Sequence, residues 1–347
     1  MNKISVIIPC CNVERWIDRC MTLITSQTIG MGNLEIICVD DASADDTWGH
    51  LKEWERSFPE NVRLIQLEVN LRQGAARNIG LRYASADWIA FVDADDWVEP
   101  DYFELLYTAA TNHICDVVVC GSARDCSLSL TYFKEEERDD REDQYILVDT
   151  REKKKEMLLY KPLNVFSWAK IIRKEMLLEH QIYFPEGLVY ENNYWHPLLH
   201  VYADNIYVIG KRLYHYFMRA SSTVNAQNQP HHLDRITVEL IKWEDYGKRG
   251  LLKIYQEEFE YDLIQYAVYF MQTLVFRYDQ PSYSYYRLQQ EVVRQRISDN
   301  IMDRYVGVFS GLQGILFEML YHSLDKAGFE MYVQQARYYA MNENVKK

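Results

Sequence analysis

An α/β fold with a mostly parallel, helix-covered sheet is predicted for the first 120 residues. Short β-branched apolar runs alternate there with segments whose apolar residues recur at helical spacing. Acidic residues follow two of these runs directly, Asp40-Asp41 after the second and Asp93 to Asp96 after the fourth. Because open α/β sheets bind ligands at the carboxyl ends of their strands, these carboxylates predict a ligand site.

The elements of this region follow one another in a regular order. Each predicted strand is rich in Val, Ile and Leu, and the residues before the second helix, Asp45 to Thr47, supply N-cap chemistry. Strands are expected at residues 4–8, 35–39, 62–67, 88–92 and 115–120, and helices at 13–24, 47–54, 74–84 and from 100 onward.

Three stretches of the chain differ in pattern. Residues 1–120 alternate strands and helices, residues 121–225 contain short apolar pieces with many aromatic residues, and residues 226–347 have helical spacing alone. We therefore expect an α/β domain over residues 1–225, built from the halves 1–120 and 121–225, and an α-helical domain over residues 226–347.

The composition limits the classes of function. The 347 residues are 48% hydrophobic, and the formal charge of -13 disfavours sequence-independent binding of nucleic acid. Seven cysteines without a CxxC pair indicate reduced thiols in a cytoplasmic protein. No apolar run reaches the roughly 18 residues of a membrane-spanning helix. The mixed charge run at 134–143 is interpreted as a solvated loop.

Asp93 to Asp96 carry the strongest chemical signal. Three carboxylates at one strand end repel one another unless a cation lies between them, and oxygen ligands suit Mg²⁺ or Mn²⁺, which often bridge to substrate phosphates. A polar turn that caps the helix near Pro100 explains the same residues without a metal. Both interpretations stay open on these residues alone.

The loops after the strands distinguish between nucleotide sites. No Walker GxxxxGK[ST] sequence is present, and the turn after the first strand, Pro9-Cys10-Cys11-Asn12, lacks the glycines of a dinucleotide-binding unit. Carboxylates can accept hydrogen bonds from a nucleobase or a ribose, and other carboxylates can hold a metal ion that binds a diphosphate. This combination suits a nucleoside-diphosphate ligand.

Four segments in this order carry a family resemblance: ISVIIPCCN (4–12), EIICVDDASADDT (35–47), NLRQGAARNIGL (70–81) and WIAFVDADD (88–96). Together they resemble the opening of family 2 glycosyltransferases. The resemblance covers roughly the first 225 residues and implies a GT-A fold with a nucleotide-binding half and an acceptor half. It also implies inverting, metal-dependent transfer, of the hexosyltransferase type, from a nucleotide sugar, usually a UDP-sugar. The acceptor would be a glycan or lipid-linked glycan of bacterial polysaccharide assembly.

The same resemblance places the nucleobase beside the second strand. Asp41 would accept a hydrogen bond from the base, although it can also cap the following helix. Pro9 and Asn12 would border this pocket. Family members usually have tyrosine where this chain has Cys11, so a stacking face for the base is lost here.

The diphosphate and metal are assigned to the third helix and the fourth strand. By resemblance, Arg77 would contact the diphosphate, and Asp93 would contact hydroxyl groups of the ribose or the sugar. Asp95 would bind the Mn²⁺ or Mg²⁺ ion. Ala94, between the two aspartates, would also lie in the donor site. Two further candidates come from a later aromatic segment: His215 as a metal ligand and Arg219 as a phosphate contact. An aromatic strand with a surface histidine is the alternative.

At the position of the general base, this sequence departs from the pattern of inverting transferases in the family. Family members often carry a Glu-Asp pair before an aromatic segment, with the aspartate as base. Here the pair reads Glu191-Asn192, and an amide cannot take a proton at neutral pH. Either Glu191 is the base or catalysis is impaired, so the alternative function is a nucleotide-sugar-binding protein of the same fold.

The helical region raises the question of partners. Its apolar residues cover more than half of one helix circumference between 263 and 276, which predicts packing onto the catalytic domain or a second copy of the chain. Peripheral contact with the inner face of the membrane is a further expectation, although the polar faces are not notably basic.

Overall fold

The computed structural model describes residues 3–125, 141–160, 163–218, 223–297 and 299–344. The chain forms two compact units, Met1–Arg219 and Ala220–Lys347. Most of the mixed charge run at 134–143 lies outside the described residues, and so does Arg219.

One mixed sheet forms the centre of the first unit. The strands of the described residues are β1 (Ile4–Cys10), β2 (Leu34–Asp40), β3 (Val62–Gln66), β4 (Trp88–Phe91), β5 (Trp97–Val98), β6 (Val117–Asp125), β7 (Gln144–Leu147), β8 (Lys170–Arg173) and β9 (Asn205–Phe217). Their order in the sheet is β3-β2-β1-β4-β8-β6-β9-β5, with β7 also paired to β9.

The sheet is parallel where the sequence alternates strands and helices. Strands β1, β2, β3 and β4 pair in parallel because each is joined to the next by a helical crossover. Strand β8 is antiparallel to both of its neighbours, and β5 and β7 are antiparallel to β9. The sheet is therefore mixed rather than parallel throughout.

The helices of the first unit follow the predicted order with small shifts at their ends. The third predicted helix starts two residues earlier than expected, at Arg72, and the fourth begins after Asp101. The helices are α1 (Ile17–Thr25), α2 (Thr47–Ser57), α3 (Arg72–Tyr83), α4 (Tyr102–Asn112), α5 (Arg151–Tyr160), α6 (Lys174–Glu179) and α7 (Asn192–Tyr202).

The antiparallel pairing of β8 with β4 determines what lies beside the predicted site. Ala90 pairs with Ile171 and Trp88 with Arg173, so β8 begins where β4 ends. Residues just before β8 therefore lie at the same edge of the sheet as residues just after β4. The sheet and its helices share a core in which β1 and β2 are almost fully buried.

The second unit is helical and has its own core. Residues from Ile236 to Ala336 form one apolar cluster inside this unit, with α10 at its centre. No helix in the described ranges is long and apolar enough to cross a membrane. The helices are α8 (Asp234–Lys248), α9 (Leu251–Ile254), α10 (Gln256–Phe276), α11 (Tyr283–Arg294), α12 (Asp299–Met302), α13 (Gly311–Tyr321) and α14 (Lys326–Asn344).

Candidate active site

A buried arginine links the two carboxylates of greatest interest. The Arg77 side chain, on α3, is only 1% exposed. Its Nη1 donates to Glu191 Oε1 at 2.6 Å and its Nη2 to Asp93 Oδ1 at 2.8 Å. The two carboxylates raise the pKa of Arg77 even though burial acts to lower it. Asp93 follows β4 and Glu191 precedes α7, so three separate elements meet at one guanidinium.

A glycine allows this meeting. Gly74 faces the segment before α7, where an added Cβ would lie 2.6 Å from the Pro185 carbonyl oxygen and 3.2 Å from Glu191 Cγ. The Arg77 guanidinium also lies over the Phe184 ring, 5.3 Å from its centroid. The absence of a side chain at Gly74 therefore sets how closely α3 approaches Glu191.

The two carboxylate oxygens of Glu191 have different surroundings. The residue is fully buried, and its Oε1 accepts from Arg77. Its Oε2 has no hydrogen-bond partner among the described residues, and the same is true of the neighbouring Asn192 Oδ1. The sequence-predicted base and the residue that replaces the family aspartate are thus neighbours, and each has a buried oxygen without a hydrogen-bond partner in the described part of the chain.

The carboxylates after β4 have different environments. The Asp93 side chain is 24% exposed, Asp95 is half-buried, and Asp96 is fully buried. Asp96 accepts from the Tyr214 hydroxyl at 2.7 Å and from the Phe217 N–H at 2.8 Å. Burial, with Asp95 and Asp93 nearby, raises the pKa of Asp96 well above its usual value. Asp96 therefore fastens this turn to β9, whereas the Asp93 carboxylate is paired with Arg77.

Asp95 and His215, the metal ligands expected from the sequence, do not form a cluster of metal-ligating side chains. His215 is buried, stacks on Trp97, and its Nε2 contacts Glu99 Oε1 at 2.8 Å, so this nitrogen is turned to Glu99. Within the described ranges, no three His, Cys, Asp or Glu side chains form a set that could hold a metal ion. Asp95 alone fits a Mn²⁺ or Mg²⁺ that takes its other ligands from diphosphate and water, the usual pattern for Mg²⁺.

Asp41, the residue assigned to the nucleobase, lies in the loop after β2 and contacts the loop between β3 and α3. Asp41 Oδ1 accepts from the Leu71 N–H at 2.6 Å, so the carboxylate fastens the start of α3 rather than the start of α2. Burial raises the pKa of Asp41, and the backbone N–H groups of Leu71 and Arg72 oppose that rise. The Asn70 side chain donates to Cys11 Sγ at 3.1 Å and closes the same loop.

Strained backbone surrounds these residues. Ala42, Arg72 and Tyr190 adopt the left-handed conformation, with φ of 55°, 69° and 68°. Such conformations cost about 1–3 kcal/mol each for residues other than glycine and concentrate at functional sites. Asn12 has φ of 53°, and its side chain accepts from the Ala44 N–H at 2.8 Å. Strain therefore supports the placement of the site at this edge of the sheet.

Several site residues were not predicted from the sequence. Tyr214 and Phe184 contact the Asp93 turn and Arg77, but each belongs to an aromatic segment that reads as ordinary core. Arg77 was assigned to a diphosphate, whereas in the structure its guanidinium holds two carboxylates. Pro9 is half-buried at the end of β1 and Ala94 is almost fully buried, so a ligand would reach mainly their backbone.

Comparisons with known proteins identify related sequences. Residues 5–180 match the model of the family "Glycosyl transferase family 2". The chain is 30% identical to EpsH of Bacillus subtilis over 233 residues, which cover 64% of this chain and 62% of EpsH. It is 30% identical to the glycosyltransferase GlyA of Streptococcus pneumoniae over 223 residues, which cover 64% of this chain and 31% of GlyA. The chain thus spans less than two thirds of either relative.

A solved structure shares the fold over almost the whole chain. Residues 1–349 of TarS from Staphylococcus aureus, in complex with UDP-GlcNAc, superpose with a TM-score of 0.69 at 16% identity, and the match covers 98% of this chain and 92% of that chain. TarS is named a poly(ribitol-phosphate) beta-N-acetylglucosaminyltransferase and is 26% identical over 220 residues, or 62% of this chain and 35% of TarS. The likeness in structure confirms the predicted fold class, an α/β domain followed by helices.

Proposed function

This chain belongs to glycosyl transferase family 2, and from that premise we propose that it transfers a sugar, with inversion, from a UDP-sugar to a glycan or lipid-linked glycan. One observation carries the proposal: Arg77 joins Asp93, beside the predicted donor, to Glu191, beside the predicted acceptor, in a buried cluster. Donor and acceptor groups must meet at one carbon atom, and this cluster connects the two sides.

The donor half of the proposal uses the carboxyl ends of β1, β2 and β4. Asp41 accepts from the uracil ring, and Asp93 accepts from hydroxyl groups of the ribose or the sugar. Asp95 would hold Mn²⁺ or Mg²⁺, which when bound neutralises the charge of the leaving diphosphate. The TarS complex with UDP-GlcNAc supports UDP as the nucleotide, since TarS shares this fold.

The acceptor half uses Glu191. The acceptor hydroxyl oxygen forms a bond to the sugar carbon while the bond from that carbon to the diphosphate breaks, and UDP leaves. The hydroxyl proton passes to Glu191 Oε2, the oxygen without a partner in the described part of the chain. Arg77 is then a positioning residue, because its two hydrogen bonds fix Glu191 against Asp93.

A second candidate function is a nucleotide-sugar-binding protein with impaired catalysis. Asn192 favours it, because an amide stands where family members often carry the base. Both functions require the same donor site and differ only in turnover.

Donor binding tests both candidates. We expect UDP to raise the melting temperature in the presence of Mn²⁺, because a ligand that binds only the folded state stabilises it. A ligand at 100 times its dissociation constant adds about 2.7 kcal/mol. Asp95→Ala should abolish the part of the shift that depends on Mn²⁺ and leave the unliganded melting temperature near that of the wild type.

Equal stabilisation by UDP in EDTA and in Asp95→Ala would rule out the metal site. His215→Gln is the matched comparison, because His215 was the other expected ligand and its Nε2 faces Glu99. We expect its Mn²⁺ dependence to match the wild type. The cytoplasmic location, a second copy of the chain and contact with the membrane surface remain predictions of the sequence.

A further inference from the structure

The segment that leads to Glu191 runs along α3. We call residues 184–191 the Glu191 segment. The Gly187 N–H donates to the Leu71 carbonyl oxygen at 3.1 Å, and Glu191, at the end of the segment, accepts from Arg77. Leu71 directly precedes α3, and Arg77 lies in the second turn of this helix. The position of Glu191 therefore depends on how this segment is fixed to α3.

Asn78, the residue after Arg77, binds the start of the Glu191 segment. Asn78 is buried, its Nδ2 donates to the Phe184 carbonyl oxygen at 2.8 Å, and its Oδ1 accepts from the Phe184 N–H at 2.9 Å. Nδ2 also donates to Glu186 Oε1 at 3.0 Å. Two hydrogen bonds to the backbone of one residue fix both its position and its orientation. A carboxylate of the same shape accepts hydrogen bonds but does not donate them, so aspartate cannot make this set of contacts.

The Phe184 ring contacts both sides of the Arg77–Glu191 pair. The Arg77 guanidinium lies over this ring, 5.3 Å from its centroid. Trp195, four residues after Glu191 and in the first turns of α7, stacks on the same ring with the centroids 4.6 Å apart. A rotation of Phe184 would therefore disturb the surroundings of the guanidinium and the start of α7 together.

We propose that Asn78 is a positioning residue for sugar transfer, because it fixes Phe184 and thereby sets the geometry of the Arg77–Glu191 pair. This inference rests on the proposed function, in which Glu191 takes the proton of the acceptor hydroxyl. Arg77 also binds Asp93, so a shift of the Glu191 segment would move the base relative to the donor side. A misplacement on the order of 1 Å can lower a rate by about 100-fold.

Asn78→Asp tests this inference in the full chain, because it keeps the shape of the side chain and removes the donor. The introduced carboxylate would face the Phe184 carbonyl oxygen and the Glu186 carboxylate, and both would repel it. We expect kcat to fall by at least about ten-fold, with the affinity for UDP unchanged. A role in folding alone would lower the melting temperature and leave kcat per folded molecule at the wild-type value.

NMR of protein labelled at its arginine side chains follows the Arg77–Glu191 pair without requiring turnover. Hydrogen bonds to two carboxylates restrict rotation of the Arg77 guanidinium, so we expect separate Nη–H signals in the wild type. Their absence in Arg77→Lys assigns them, and Asn78→Asp should broaden or remove them. A wild type that transfers no sugar counts against the proposed function, and these signals then decide whether Asn78 sets the geometry of the pair.

Two further variants provide a rescue and a control. In a Glu186→Gln background, Asn78→Asp should lower kcat less, because the glutamine amide donates to the introduced carboxylate. Asn112→Asp adds the same charge at an exposed asparagine at the end of α4, and we expect it to leave kcat unchanged.

Asn78→Ser keeps one hydroxyl donor and adds no charge, so it gives a second measurement if Asn78→Asp does not fold. We expect it to show the same fall in kcat to a smaller extent, again with UDP affinity unchanged. Wild-type kcat in either folded variant of Asn78, or Arg77 signals that match those of the wild type, would overturn the inference.

Discussion

At the residue scale, the pair Glu191-Asn192 decides between the two candidate functions. The sequence shows only that an amide occupies the position where family members often carry an aspartate. The structure adds that Glu191 is fully buried, that Arg77 holds one of its oxygens, and that the other has no partner among the described residues. These contacts leave Glu191 a candidate base, with one oxygen bound to Arg77 and the other buried without a partner in the described ranges.

Glu191→Gln is expected to lower the transfer rate by at least about 100-fold, because a positioned general base contributes roughly 10²–10⁴-fold. Binding of UDP should change little, since the amide still accepts a hydrogen bond from Arg77. Asn192→Asp, which restores a carboxylate, should keep or raise the rate. Product formation from radiolabelled UDP-sugars measures both variants, and normal turnover by Glu191→Gln would place the base elsewhere.

Lys170 predicts a specific pH dependence of stability. Burial lowers the pKa of Lys170 to about 7, with the buried Cys120 acting weakly in the other direction. Between this pKa and the usual lysine value of about 10.4, the unfolded chain binds the proton and the folded chain does not. The free energy of unfolding therefore gains a contribution that rises with pH over this range and is smallest below pH 7.

Lys170→Met removes this contribution. From pH 7 to pH 8.5, the free energy of unfolding of the wild type should rise by about 1–2 kcal/mol relative to that of Lys170→Met. Urea unfolding at both pH values measures it, and the cysteines and tyrosines that titrate in the same range cancel in the difference. If this difference in unfolding free energy does not change with pH, then water reaches the Lys170 amine in the folded state.

At the element scale, the approach of α3 to the segment before α7 depends on Gly74. Gly74→Ala would bring a methyl group 2.6 Å from the Pro185 carbonyl oxygen, so either α3 or the segment must shift. We expect a loss of about 1–3 kcal/mol in stability, typical of overpacking, and a larger loss of transfer because Arg77 and Glu191 separate. Thermal unfolding and activity assays measure the two effects.

Gly32→Ala is the control for that substitution, since nothing lies within 4 Å of the added Cβ and the backbone there is ordinary. Its stability and activity should match the wild type. An equally stable and active Gly74→Ala protein would show that the contact between α3 and Pro185 does not set the Arg77–Glu191 geometry.

The elements of residues 1–120 were predictable because their signals are local. Apolar runs that end in acidic residues mark β2 and β4, and helical spacing marks the crossovers between them. The pairing of Arg77 with Glu191 spans 114 residues, and no local pattern reports it. Strands β5 and β8 are two and four residues long, too short for a period to be visible.

At the scale of the whole molecule, each unit has its own apolar core. The apolar residues between 263 and 276 predicted that the helical region packs onto the catalytic domain or a second copy of the chain. In the structure, Phe270 and Phe317 are buried within the helical unit's own cluster, with Trp243 and Phe276 packed against it. Docking on the catalytic unit or on a second copy stays a prediction, but these four residues no longer require it.

A fragment that ends at residue 219 is expected to remain folded, because this unit has its own apolar core, and to bind UDP, because every described residue of the proposed donor site lies within it. Circular dichroism, gel filtration and calorimetry with UDP measure its fold, size and binding. The intact chain analysed beside it gives the number of copies in solution. An aggregated fragment would show instead that residues 220–347 cover apolar surface of the catalytic unit.

Strand β9 has a consequence for how the protein is made. It is the last strand of its unit in the chain, yet among the described strands it is the partner of β5, β6 and β7. Strand β6 ends at Asp125 and β9 ends at Phe217, 92 residues later, so synthesis of the chain between them takes on the order of 5–20 s at about 5–20 residues per second. During that interval the nascent chain carries an open sheet edge beside β6, so early chaperone engagement should depend on the time that β9 needs to emerge.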